Sequence, residues 1–324
     1  YNNLTGAIKQ TFPDCLSNLW LYSNLLTSID VSGSRGLESL EIGDTYSTSM
    51  DSVIVSQCDN LVKFCISGRI QNLLTIGFID ISGTNIKEFH GHDLKVQNMI
   101  ASDCTSLKHF SFLGDEEKEY VGNLNLSGCI SLEDFACGHA KSVNLSGCSS
   151  LRECNLDFVY GGGVLEKLDI KGCVMLETLL VSGNLLTTLN VSGFTNLQSI
   201  DCENNKLTTL NITGCSALDW LNCSNNYLTT LNASGLTNLQ SIECENNKLT
   251  ALNITGCIAL EELSCANNNL TSLDVSDCYR LEWLYCQDNK INSVIPDWFA
   301  RLKHFSYDQR YYYRNKVVLV DQGY

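Results

Sequence analysis

A period constrains this chain more than its composition does. From Leu176 to Arg301 the sequence falls into six consecutive rows of 21 residues: LETLLVSGNLLTTLNVSGFTN, LQSIDCENNKLTTLNITGCSA, LDWLNCSNNYLTTLNASGLTN, LQSIECENNKLTALNITGCIA, LEELSCANNNLTSLDVSDCYR and LEWLYCQDNKINSVIPDWFAR. Apolar residues return at row positions 1, 4, 6, 11, 14 and 16. A block this short cannot bury its own apolar side, but a stack of such blocks can. The repeat therefore predicts a solenoid with one coil per row, each coil packing only on its neighbours.

Within a row, positions 4 to 6 alternate apolar and polar as a half-buried strand does, and stacking places these strands in a parallel sheet. Positions 14 to 16 alternate again, giving a second short strand on the opposite side. The nine or so residues between strands are too few for a regular helix, so the crossovers are expected to be loops or 3₁₀ turns. Asn184, Asn205, Asn226, Asn247, Asn268 and Asn289 hold position 9, where the chain turns. Their amides can bond backbone groups that a turn leaves unpaired, which predicts an internal asparagine ladder.

Position 6 carries Cys202, Cys223, Cys244, Cys265 and Cys286, with Val181 in the same slot of the first row. The main reading is a column of buried free thiols acting as small hydrophobes. Disulfides down the column are an alternative, although parallel strands ~4.8 Å apart hold their Cβ vectors side by side. Metal binding is a third, and it needs convergent ligands. The 17 cysteines include no C-x-x-C, and the redox compartment stays open.

The template continues upstream with looser spacing. Residues 1–15 read as a partial repeat and lead-in segment ending at Pro13, Asp14 and Cys15. Residues 16–36 form another 21-residue row, and further coils start at Leu37, Leu61, Ile86, Leu107, Leu132 and Leu151. This makes about 13 coils over residues 16–301, regular from 176. The extra residues, such as GDTYSTSMD, LGDEEKEYVG and DFVYGGG, are expected to be surface loops. Past Pro296, which suits a helix start, Trp298, Phe299, Leu302 and Phe305 follow at helix-like spacing. Residues 296–324 are expected to cap the open end of the array, with a binding tail around Tyr311, Tyr312 and Tyr313 as the alternative.

The signature L-x-x-L-x-C-x-x-N-x-L is that of the leucine-rich repeat. The rows resemble the 21-residue cysteine-ladder repeats of bacterial surface proteins, in particular the internalin J-like group. The match is close over Leu176 to Asn289 and at 16–36, and approximate between. This resemblance implies an exported protein at the cell surface or outside the cell, binding a protein or glycan through a concave parallel sheet backed by short convex strands. The family motif is structural and transfers no catalytic residue. The opening YNNLTG looks like the tail of a repeat, which leads us to expect a mature fragment without its export signal.

Charge narrows the partners. With 21 basic and 36 acidic residues the formal net charge is −15, which argues against nucleic acid. No 18-residue apolar run is present, so no membrane span is expected. No cofactor is expected, and a monomer is.

The outward positions of the first strand are 3 and 5, with 7 at its end. Trp220, Trp283 and Tyr285 are large aromatics there that the fold does not require. Asp201 with Glu203, and Glu243 with Glu245, form two carboxylate pairs separated by a neutral coil, and Glu262 shares the face. Exposed aromatics are enriched at recognition hot spots, so these residues are the candidate ligand-binding site; ordinary surface decoration is the alternative. Calcium between the pairs is weighed down by a separation of ~9.6 Å, and the carboxylates read as surface positions without desolvation.

Upstream, His90 and His109 are outward on adjacent strands with Glu88 beside His109, while His92 and His139 lie near strand ends. A metal or pH-sensitive patch and plain exposed histidines are both consistent with that placement. No G-x-S-x-G or H-E-x-x-H occurs. The expectation is a non-catalytic recognition module. A structural spacer presenting another domain and a polysaccharide-processing enzyme are the alternatives.

Overall fold

The structure is a computed structural model that describes residues 4–43, 48–67, 74–91, 94–112, 120–158 and 162–291. The chain is an all-β, right-handed, parallel-sheet solenoid of the leucine-rich-repeat type. Among the described residues there is no helix of any kind, and turns and bends make all the crossovers. The chain divides into two compact units, Tyr1–Phe158 with Gly162–Leu176, and Val159–Gly161 with Glu177–Tyr324. The expected C-terminal cap, residues 113–119 of the LGDEEKEYVG segment, residues 159–161 of the DFVYGGG segment and His92 lie outside the described residues.

In the second unit the first strands are Thr178–Leu180, Ser199–Asp201, Trp220–Asn222, Ser241–Glu243, Glu262–Ser264 and Trp283–Tyr285, each paired in parallel with the next coil. The second strands are equally short, and Thr188–Asn190 pairs with Thr209–Asn211 as Thr230–Asn232 does with Ala251–Asn253. The core is the row template read inward. Leu176, Leu179, Val181, Leu197, Ile200 and Cys202 have no exposed surface, and the same positions repeat in the following coils.

Three columns of polar groups shape these coils, and the first of them ties each coil to its neighbour. The Asn205 amide donates to Val181 O at 2.8 Å and accepts from Leu186 N at 3.0 Å. Asn226, Asn247, Asn268 and Asn289 each repeat this reach into the preceding coil. One residue earlier, Asn204, Asn225, Asn246, Asn267 and Asp288 take φ of 52–55°. Asn and Asp tolerate that left-handed turn better than most residues, which explains the Asn-Asn pairs. At position 15 the side chains of Asn190, Asn211, Asn232, Asn253 and Asp274 each accept from the backbone N two residues on.

All 17 cysteines are free thiols. Cys202, Cys223, Cys244 and Cys265 are fully buried and Cys286 is 5% exposed. A second cysteine column, which the row reading does not single out, occupies position 19. There the Cys215 and Cys257 thiols donate to Val191 O and Ala233 O at 3.1 and 3.2 Å. The same device recurs in the first unit at Cys104, Cys129, Cys148 and Cys173.

The first unit departs from the short-strand pattern. Its second strands form one eight-stranded parallel sheet and run to seven residues, as in Leu74–Asp80 and Leu94–Ile100. Part of the extra length expected as loop is therefore strand: Ser49–Asp51 and Tyr120–Gly122 belong to Ser49–Ile54 and Tyr120–Asn125. Buried apolar residues such as Leu74, Ile76 and Ile79 give these segments an inward face, which stabilises an extended strand over an irregular loop. Coils approach closely here, and a Cβ on Gly122 would stand 2.2 Å from Gln97 O. The core adds stacked aromatics, with Phe89 5.0 Å from Phe110 and Phe110 5.7 Å from Phe135 between ring centroids.

Candidate functional site

Strand register brings the candidate residues of the second unit onto one face. Along the position-3 column, Ser199, Trp220, Ser241, Glu262 and Trp283 are successive Cα partners, and along position 5 Asp201, Asn222, Glu243, Ser264 and Tyr285 are. Backbone bonds from Asn204 N to Ser224 O and from Asn225 N to Glu245 O carry the alignment on, setting Glu203, Ser224 and Glu245 side by side. The neighbours Leu221 and Cys223 point inward and are fully buried.

Two expectations change. Trp220, Trp283 and Tyr285 are half-buried rather than fully exposed, because large side chains on strands ~4.8 Å apart lie against those of adjacent coils. The carboxylates are also not plain surface groups. Trp220 Nε1 donates to Glu243 Oε1 at 3.3 Å, and burial first, then the charges of Glu262, Glu245 and Glu203, push the Glu243 carboxyl above its ordinary value.

The carboxylates of the two pairs take different hydrogen-bond partners. Asp201 Oδ1 accepts from Glu203 N at 3.1 Å and so shapes its own turn. Glu203 turns to amides, accepting from Asn225 Nδ2 at 2.9 Å, Asn204 Nδ2 at 3.0 Å and Asn222 Nδ2 at 3.2 Å. Glu245 accepts from the Ser264 hydroxyl. Among the described residues none of Glu203, Glu243, Glu245 and Glu262 pairs with a cation, and no three His, Cys, Asp or Glu converge to hold a metal.

In the first unit, Glu88 is the register partner of His109 as read. The His109 ring nevertheless bonds Asp134 of the following coil at 2.8 Å, and Glu88 lies 3.7 Å from His90 on its own strand. His139 packs on Phe158 at 4.3 Å between centroids, and burial pushes its pKa down. His90, His109 and His139 are thus dispersed into separate contacts.

Row 16–36 of the first unit carries two exposed aromatics that the row reading does not single out. Trp20 is 66% exposed, and Tyr22 and Leu25 are exposed close by in the chain. Trp20 is in register with Glu41, whose carboxylate accepts from the Tyr22 hydroxyl and the Lys63 ammonium. That bond chiefly pushes the Tyr22 phenol up to about 12. Row 16–36 carries the signal for both aromatics, since Trp20 and Tyr22 hold outward positions 5 and 7.

Among the described residues no helix is long and apolar enough to cross a membrane. The leucine-rich-repeat family profile matches residues 280–302, and no curated protein matches the chain as a relative. Among solved structures, the chain is similar to a leucine-rich-repeat protein of Leptospira interrogans at 16% identity and a TM-score of 0.44, covering 87% of this chain and 76% of that one. The functional domain of InlJ from Listeria monocytogenes, described as including a cysteine ladder, is 20% identical at a TM-score of 0.38, covering 86% and 67%. YopM of Yersinia pestis, a leucine-rich effector protein, is 21% identical at a TM-score of 0.47, covering 84% and 73%. The chain is similar to each of these, and none lends it a ligand or a site.

Proposed function

We propose that this chain is a non-catalytic recognition module of an exported bacterial surface protein, binding a protein or glycan through the first-strand face of its second unit. The array would span residues 16–301, with 1–15 leading in and 296–324 capping it. The contact residues would be Trp220, Trp283, Tyr285, Glu203, Glu243, Glu245 and Glu262, with Asp201 holding the turn beneath Glu203. One observation carries the reading: indoles, a phenol and carboxylates share the outward columns of a parallel sheet whose core is complete without them. Aromatic groups with a polar edge are the ones that dominate recognition surfaces. The bacterial and surface parts of the proposal rest on the resemblance of the cysteine-ladder rows.

The test is a glycan array and a protein-interaction screen run with the native chain and with Trp220→Ala and Trp283→Ala variants. Both variants are expected to melt within a few degrees of the native protein, because the two side chains stand outside the core. The expected result is a ligand whose capture falls with either variant. A chain that captures nothing, or captures everything independently of both tryptophans, is a spacer or binds elsewhere, and the proposal fails.

A further inference from the structure

Resting on the recognition reading above, we propose that the face between Trp220 and Trp283 receives arginine side chains from an extended basic segment of a partner protein. The two indoles bracket a floor in which Ser241 and Glu262 separate them along one column. In the next column Asn222, Glu243, Ser264 and Tyr285 follow one another. Three coil spacings set the brackets about 14 Å apart, the length of roughly four extended residues.

The charge on that floor is uncompensated. The bonded partners of Glu203, Glu243 and Glu245 are amides, a hydroxyl and an indole N–H, all neutral, and no cation among the described residues reaches these groups or Glu262. Glu243 is also partly removed from water beside three like charges. A bound cation would relieve that repulsion, whereas a neutral sugar would leave it in place.

A second observation marks the same face. Ser224 is 2% exposed, and its hydroxyl is the one buried side-chain oxygen or nitrogen among the described residues with no hydrogen-bond partner. It stands in the position-7 column between Glu203 and Glu245, on the outward side that alternates with Leu221 and Cys223. Buried polar groups are normally satisfied, so an unmet hydroxyl in the column that carries Glu203 and Glu245 points to a partner on this face.

A metal ion fits poorly, because the acids are strung out coil by coil and no three converge. Arginine fits well. Its planar guanidinium stacks on an indole while its fork donates to carboxylates, and the Trp220–Glu243 bond already holds one indole beside one carboxylate.

The native chain is titrated with acetyl-Arg-Ser-Arg-Ser-amide and with the same peptide carrying citrulline, which keeps the shape and removes the charge. Tryptophan fluorescence and calorimetry give the readout. The arginine peptide is expected to bind, to weaken with added salt, and to lose about tenfold or more in the citrulline form or in the Glu243→Gln/Glu262→Gln double variant. Melting curves check that the variant folds, and Trp220→Phe, which keeps an aromatic face but loses the N–H bond to Glu243, is expected to weaken binding less than the double variant. Equal binding of the citrulline peptide, undiminished binding by the double variant, or no binding of the arginine peptide overturns the inference. If glycans or other proteins are then captured in a manner dependent on Trp220 and Trp283, only the arginine inference falls. If nothing is captured, the recognition reading falls with it.

Discussion

Replacing Asn247 by alanine tests the column that joins one coil to the next. Its side-chain oxygen accepts from Leu228 N at 2.9 Å, and its amide donates to Cys223 O at 2.9 Å, with longer contacts of 3.3 Å to Cys244 O and Glu245 O. Asn247 is buried and Leu228 fully so, which keeps water from substituting. Alanine leaves the Leu228 N–H without an acceptor, a loss of ~1–3 kcal/mol. Cys223 O keeps the Asn226 amide, so the bond lost there contributes only ~0.5–1.5 kcal/mol. The expected destabilisation is therefore about 2–4 kcal/mol, read as a shift of the urea midpoint at constant slope. Asn247→Asp keeps an acceptor for Leu228 N but turns a second oxygen toward Cys223 O and buries a charge, so it should cost at least as much. An alanine variant within about 0.5 kcal/mol of the native chain, or a tolerated aspartate, would refute the assignment of this column as a structural tie.

Native alkylation at neutral pH should modify Cys15 and Cys65, the two exposed thiols of the 17, and spare the rest; burial pushes Cys223 up to about 12 and Cys202, Cys244 and Cys265 well above an ordinary thiol. Cys244→Ser should cost ~1–3 kcal/mol by burying a hydroxyl, and Cys244→Ala less, as chemical denaturation will report. Gly122→Ala should cost ~1–3 kcal/mol, since the new methyl meets a backbone oxygen; a thermal melt unchanged from native would contradict the close approach. Because the folded state raises the Glu243 pKa, the native form holds that proton more tightly than the unfolded one. The group's contribution to stability is then most favourable below the ordinary glutamate value and declines as pH rises through the raised one. Glu243→Gln should flatten that part of the melting-temperature profile, and an identical profile would argue against the shift.

Much of this fold could be read from the rows, and for a definite reason. A strict 21-residue period assigns each residue of 176–289 an inward or outward sense, so the inward places of Leu179 and Cys202 and the turn place of Asn205 are legible in the rows. Period says nothing of how outward side chains lean. Hence the half-burial of Trp220, the Trp220–Glu243 bond and the use of Asp201 as a turn acceptor were not legible. Residues 37–175 have no fixed period, so the long second strands there came only with the structure. They depend on buried apolar residues within segments such as LTIGFID, which the row template does not sample.

The asparagine column has a direction. Leu186 N, Leu207 N, Leu228 N, Leu249 N and Leu270 N all wait for an oxygen supplied 19 residues later in the chain. On a ribosome, each coil of the regular array would thus be sealed only when its successor emerges, and the newest coil would always be the loosest. The same asymmetry governs shortening by design. A cut placed after a position-9 asparagine leaves the preceding coil sealed, while a cut just before it strands a leucine amide and invites fraying from that end.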